Sequence, residues 1–257
     1  MEITFYKYQG TGNDFVMIDD RSESFEVTDL ALISKLCDRK FGVGADGLIL
    51  IRNHQDYDFE MIYFNADGSQ SMCGNGARCA VAFSAFLGIV KDQTTFLAID
   101  GKHEAVLENG LVQLLMGEVD GIESRQEDFF VNTGSPHHIR LVEKVSDYPV
   151  FAEGKSVRYD ASYAPGGTNV NFVEPIAEDE IFVRTYERGV EDETLSCGTG
   201  VTAAALVYGK DQDAAEIKIN TLGGKLSVKF NSKPEGGYSD IWLIGPAEQV
   251  FKGQIII

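Results

Sequence analysis

Cysteine and histidine are scarce in this chain of 257 residues, with four of each. Cys37, Cys73, Cys79 and Cys197 form no CxxC pair, and His54, His103, His137 and His138 have neither zinc-finger nor HExxH spacing. Neither a metal site nor a disulfide scaffold is therefore expected. Long hydrophobic runs are also missing. No stretch approaches the ~18 consecutive apolar residues of a membrane helix. The N-terminus, MEITFYKYQGTGNDF, lacks the basic start and apolar run of a signal peptide. The expected location is the cytoplasm. Positive charge is outnumbered, 22 Lys and Arg against 40 Asp and Glu, for a net charge of −18. Such a surface repels phosphate backbones and anionic lipid, so neither nucleic acid nor membrane is an expected partner. Plain solubility is a sufficient reason for the acidity.

What is present is ordinary globular material, 44% hydrophobic and 24% charged, enough for one large domain or two of usual size. It is arranged twice. CGNG begins at Cys73 and CGTG at Cys197, 124 residues apart. Other landmarks recur in the same order at similar offsets: Thr11 with Thr133, Gly47 with Asn169, Asn65 with Glu187, Gly101 with Gly224, and Gly117 with Gly245. Ordered recurrence of this kind points to an internal duplication.

Each half reads as strands, a helix, then strands. FLAID, EAVLE and LVQLLMG are short and alternating, and GKLSVKF with SDIWLIG reads as a hairpin. The segments after the cysteines, ARCAVAFSAFLG and VTAAALVYG, are apolar almost all round, so each helix must be enclosed. A further helix is expected over DLALISKLCDRKFG, with Thr28 as N-cap, Gly42 as its stop and Cys37 in the core. The expected fold is α/β, of the α+β type. It has two similar domains, each a mostly antiparallel sheet curled around a central helix, with an active-site cleft between them. Residues 1–117 form the first half and 118–247 the second. Residues 248–257 have no counterpart and are expected to return to the first half.

Cys73 and Cys197 each precede a helix. Free N–H groups and the helix dipole favour negative charge there, which promotes the thiolate. The glycines at 74, 76, 198 and 200 let backbone amides approach an anion such as a carboxylate. Two thiols on opposite faces of one α-carbon would invert it, one removing a proton and the other returning one. The residues alone leave two alternatives open, thiol redox chemistry and purely structural cysteines. Cys79 and Cys37 read as core.

GTGNDFVMID, FGVGADG, YFNADGSQSMCGNGARC, YERGVEDETLSCGTG and the final GGKL…WLIGPA resemble the diaminopimelate epimerase family, from about residue 5 to the C-terminus. The resemblance implies interconversion of LL- and meso-diaminopimelate for lysine and peptidoglycan precursors. It implies no cofactor, neither pyridoxal phosphate nor metal, and a homodimer. It makes Cys73 the base and Cys197 the acid for the LL isomer. Gly74, Asn75, Gly198 and Thr199 match residues whose amides hold the reacting carboxylate. Asn13, Asn65, Asn169, Glu187 and Arg188 match substrate-binding positions, and His137 and Glu187 match positions that tune the cysteines. Three positions depart from the usual pattern: Ser135 where asparagine is common, Gly47 where glutamine is common, and CGTG for CGSG. Proline and hydroxyproline racemases share the architecture but carry histidine after the first CG, where this chain has Asn75. Isomerases of the phenazine-biosynthesis type lack the cysteine pair.

Overall fold

The structure, a computed structural model, describes residues 2–256. The backbone groups into two compact units. One runs to Leu114 and takes in the stretch from Gly245 onward; the other is Leu115–Ile244. In chain order the first unit holds β1 (Glu2–Gly10), β2 (Asn13–Asp19), α1 (Leu30–Cys37), β3 (Gly47–Arg52), β4 (Phe59–Asn65), α2 (Gly74–Phe86), β5 (Gln93–Ala98), β6 (Gly101–Glu108) and β7 (Leu111–Leu115). The second holds β8 (Glu123–Arg125), β9 (Asp128–Asn132), β10 (Pro136–Leu141), α3 (Val150–Arg158), β11 (Asn169–Ala177), β12 (Glu180–Glu187), β13 (Asp192–Thr194), α4 (Gly198–Tyr208), β14 (Ala214–Thr221), β15 (Gly224–Ser232) and β16 (Tyr238–Pro246). β17 (Glu248–Ile256) pairs antiparallel with β1.

The duplication is written in strand register. β2 and β3 run parallel with Phe15 opposite Gly47; β10 and β11 run parallel with His137 opposite Asn169. β3 and β4 are antiparallel with Leu48 opposite Phe64; β11 and β12 set Val170 opposite Tyr186. Both members of each pair are displaced by the same 122 residues. Further on, Phe59 faces Phe96 and Ile181 faces Ile219, while Ala98 faces Gly101 and Thr221 faces Gly224. Parallel neighbours need a crossover, and a helix supplies each one: α1 and α2 in the first unit, α3 and α4 in the second.

Period-two alternation sorts each strand between two faces. In β3, Leu48 and Leu50 join Ile33 and Leu36 of α1 in one cluster. In β11, Val170 and Phe172 pack with Val150 of α3, whereas Val173 packs with Val201 and Ala204 of α4. The central helices are enclosed, as their apolar circumference requires. Every residue from Asn75 to Val81 and from Gly200 to Val207 is buried. Phe83 of α2 meets Tyr6 at 4.8 Å between ring centres, and Phe59 stacks on Phe96 at 4.9 Å. Burial of each such large side chain contributes about 2 kcal/mol.

Two details of the helices differ from the sequence reading. The N-cap of α1 is Asp29, whose carboxylate accepts from the Leu32 amide at 2.9 Å, and not Thr28. Thr28 instead donates to Glu26. The helix ends at Cys37, before Gly42, because the chain folds back there; a Cβ on Gly42 would stand 1.8 Å from the Lys35 carbonyl oxygen. Cys37 lies in the core, where burial pushes its thiol up to about 11. The α3 helix had no place in the sequence reading. It occupies in the second unit the place of α1, so the repeat itself carried the signal for it.

Candidate active site

In the first unit Cys73 is the N-cap of α2, with extended backbone angles and its sulfur 3.5 Å from the Gly76 amide. Its Sγ lies 3.4 Å from the Asn13 side-chain oxygen, and Asn75 Nδ2 donates to the same oxygen at 3.3 Å. Asn13 is oriented from the other side. Its Nδ2 donates to Asp46 Oδ2 at 2.6 Å, which turns Oδ1 toward Cys73 and Asn75. Asp46 is held in turn by Arg39, which also grips Asp14 at 2.7 Å. Burial works against ionisation of Asp14, but hydrogen bonds from Arg39 and Lys7 outweigh it and lower its pKa to about 2. Asn65, at the end of β4, accepts from Tyr63 at 2.9 Å and donates to Ser69 and Ser71.

Behind Asn75 stands Arg78, a fully buried guanidinium on an otherwise uncharged helix. Its Nη2 donates to Asn75 Oδ1 at 3.0 Å and to Thr11 at 3.3 Å. Nε and Nη1 have no hydrogen-bond partner among the described residues. Burial lowers its affinity for a proton, and the neighbouring Cys79 and Cys73 thiols act the other way.

In the second unit Cys197 is the N-cap of α4 and is 8% exposed. Its Sγ is 3.6 Å from the Thr199 hydroxyl, which lies 2.9 Å from His137 Nε2. His137 is fully buried, and burial, reinforced by the charge of Arg188, brings its pKa down to about 3. Asn169 and Arg188 stand together: the Arg188 amide donates to Asn169 Oδ1 at 2.9 Å, and Arg188 Nη2 reaches Ser135 at 3.3 Å. Asn169 also donates to Ser135 at 3.4 Å and to the Pro136 carbonyl at 3.0 Å. Glu187 accepts from Thr194 at 2.8 Å. Each unit thus assembles a thiol at a helix N-terminus with a ring of amides and hydroxyls beside it.

A family model described as diaminopimelate epimerase matches residues 5–121 and 129–248. The chain belongs to the diaminopimelate epimerase family. The diaminopimelate epimerase of Flavobacterium psychrophilum is 51% identical over 255 residues, covering 97% of this chain and 99% of that one. The diaminopimelate epimerase of Aquifex aeolicus is 42% identical, covering 98% and 97%. Among solved structures, a Bacillus anthracis phenazine biosynthesis protein of the PhzF family superposes with a TM-score of 0.79 at 15% identity over 100% of both chains. A hydroxyproline epimerase from Agrobacterium vitis gives 0.69 at 12%, covering 99% of this chain and 92% of the other. At those identities the likeness is one of fold.

Gly47 and Ser135 each have a definite place in the structure. Gly47 cannot carry a side chain, because its Cβ would stand 2.4 Å from the Tyr63 ring. Tyr63 fills that place and spends its hydroxyl on Asn65. Ser135 is not idle; its hydroxyl is shared by Asn169 and Arg188. The second glycine of each motif also has a packing role, apart from any anion. A Cβ on Gly76 would meet Ile49 at 3.2 Å, and one on Gly200 would meet the Asn171 side-chain oxygen at 2.4 Å. The sequence reading missed Asp46, Tyr63, Arg78 and Asn171. Arg78 could have been found as the one charged residue in the apolar run after Cys73, whereas Asn171 shares its run with Asn169 and carried no such signal.

Proposed function

We propose that this chain converts LL-diaminopimelate to its meso isomer with two thiols and no cofactor. It would act in the cytoplasm as a homodimer, supplying lysine and peptidoglycan precursors. Residues 1–117 with 248–257 and residues 118–247 are its two functional halves. For the LL isomer Cys73 takes the α-proton and Cys197 delivers one to the opposite face; in the reverse direction they exchange roles. The α-proton of an amino acid is a very weak acid, so the charge that develops on the carboxylate must be stabilised. The amides of Gly74, Asn75, Gly198 and Thr199, in the first turns of α2 and α4, supply oriented donors for it. Arg188 suits the distal carboxylate as a forked donor. Asn13, Asn65, Asn169 and Glu187 supply the polar contacts for the distal ammonium and carboxylate. His137 and Glu187 tune the thiols.

The observation that carries this reading is the placement of both thiols at the N-caps of two helices that occupy the same position in duplicated halves. The test is exchange in deuterated water without added cofactor. The expected result is one deuterium on an α-carbon of LL-diaminopimelate as the meso isomer forms. Exchange with proline and none with diaminopimelate would move the substrate to the cyclic amino acids. Reversible oxidation of the thiols coupled to substrate reduction would replace epimerisation with redox chemistry.

A further inference from the structure

We propose that Asn171, anchored by Thr185, fixes His137 as its Nε2–H tautomer, and that the Thr199 hydroxyl, accepting that hydrogen, gives its own to the Cys197 sulfur and favours the thiolate. The proposal rests on the reading of Cys197 as an acid–base group. It adds Asn171 and Thr185 as positioning residues and gives Thr199 a role for its hydroxyl.

The direction of each bond follows from what each atom can do. Asn171 Nδ2 lies 3.1 Å from the His138 carbonyl oxygen, which can only accept, so that side of the carboxamide is the NH2 group. Its oxygen accepts from the Thr185 hydroxyl at 2.9 Å. The same Nδ2 lies 3.1 Å from His137 Nδ1, which must therefore offer its lone pair. The ring, buried and neutral, then carries its hydrogen on Nε2 and donates it to Thr199 Oγ1 at 2.9 Å. A hydroxyl that accepts at its lone pair has one hydrogen to give, and Cys197 Sγ is 3.6 Å away. A thiolate accepts that hydrogen better than a thiol does. The charged group facing the imidazole is Arg188, which also opposes a proton on it.

The sister half indicates that this chain of bonds is not a packing default. The register-equivalents of His137, Asn171 and Thr185 are Phe15, Ile49 and Tyr63, and there Ile49 and Phe15 pack against Gly76. An apolar floor serves the fold under α2. Under α4 the same backbone buries an imidazole, a carboxamide and a hydroxyl, each of which costs free energy unless fully bonded. Gly200 makes room for the carboxamide oxygen.

Two measurements on the intact chain test this without turnover. Nitrogen-15 NMR of the imidazoles should show His137 neutral, with its hydrogen on Nε2, at neutral pH. Peptide-resolved alkylation of Cys197 across pH should shift its midpoint upward by about one unit in Thr199→Val, the loss of one hydrogen bond to an anion. Thr199→Ser should keep the parent midpoint. Asn171→Asp, which replaces the donor with an acceptor, should move the His137 hydrogen to Nδ1 and raise the midpoint as well. A parent His137 with its hydrogen on Nδ1, or a Thr199→Val midpoint equal to the parent's, would overturn the proposal. A chain inactive on diaminopimelate would instead overturn the proposed function and leave these readouts standing.

Discussion

Under α2 the first unit places Phe15, Ile49 and Tyr63; under α4 the second places His137, Asn171 and Thr185. One helix turn further along, the motif alignment sets Arg78 in the first unit against Thr202 in the second, and both are fully buried. Thr202 satisfies itself locally by donating to the Gly198 carbonyl at 2.9 Å. The two units therefore share a backbone but supply polarity to their thiols from opposite directions. The first supplies a cation from within the helix, the second a neutral imidazole from the sheet below. Duplication fixes where a sulfur sits. In the proposed mechanism, the group that stabilises charge on it differs between the halves.

The largest expected effect tests whether both ends are needed. Cys73→Ala and Cys197→Ala should each lower turnover roughly a thousandfold, the scale of a lost general acid or base. Far-UV circular dichroism should be unchanged, since each cysteine stands at a helix N-cap position and its replacement by alanine removes a single sulfur. Near-normal turnover in either variant would make one half a passive scaffold and end the two-thiol reading.

A smaller effect isolates the first unit's cation. Arg78→Met should lower turnover about tenfold, because the buried guanidinium favours negative charge nearby and holds Asn75. Its thermal midpoint should stay within a few degrees of the parent. Two of the arginine's nitrogens lack hydrogen-bond partners among the described residues, so a buried apolar replacement avoids a desolvation cost that the arginine bears. Arg78→Lys should restore part of the turnover. Full turnover in Arg78→Met would reduce the residue to packing and erase this difference between the halves.

Much of the fold was legible in the sequence because glycine turns and cysteine motifs mark the repeat, and strand alternation and all-apolar helices follow local rules. The α1 cap was read one residue early, since Thr28 and Asp29 are both good caps and only the backbone angles choose. The α3 helix was missed because Pro149, its N-cap, offers no side-chain signal. In the site, residues carried by motifs were found, whereas those lying beneath them were not. Asn171 is bonded to residues distant in sequence, and nothing in the run NVNFV tells which of its two asparagines faces α4. That depends on which side of the sheet each helix covers.

The remaining contrast, in stability and not in turnover, is in how the two units respond to acid. Asp14, in the first unit, has its carboxyl lowered from 3.8 to about 2. Its contribution is complete above the unfolded value and is lost as pH falls from about 4 toward 2. His137, in the second unit, is lowered from 6.5 to about 3 by burial and by Arg188. Between those values the unfolded chain binds a proton that the folded one refuses. Stability of the second unit therefore falls as soon as pH drops below about 6.5, by at most about 1.4 kcal/mol per pH unit from this group. His138, lowered chiefly by burial, acts in the same direction. Hydrogen exchange, corrected for intrinsic rates, should show α4 and β11 losing protection between about pH 6 and 4, while α2 and β2 hold until pH falls below about 4. His137→Gln should flatten the response of α4. Equal loss of protection in both units over that range would mean that their buried groups are coupled, and the contrast between an apolar and a polar floor would not extend to stability.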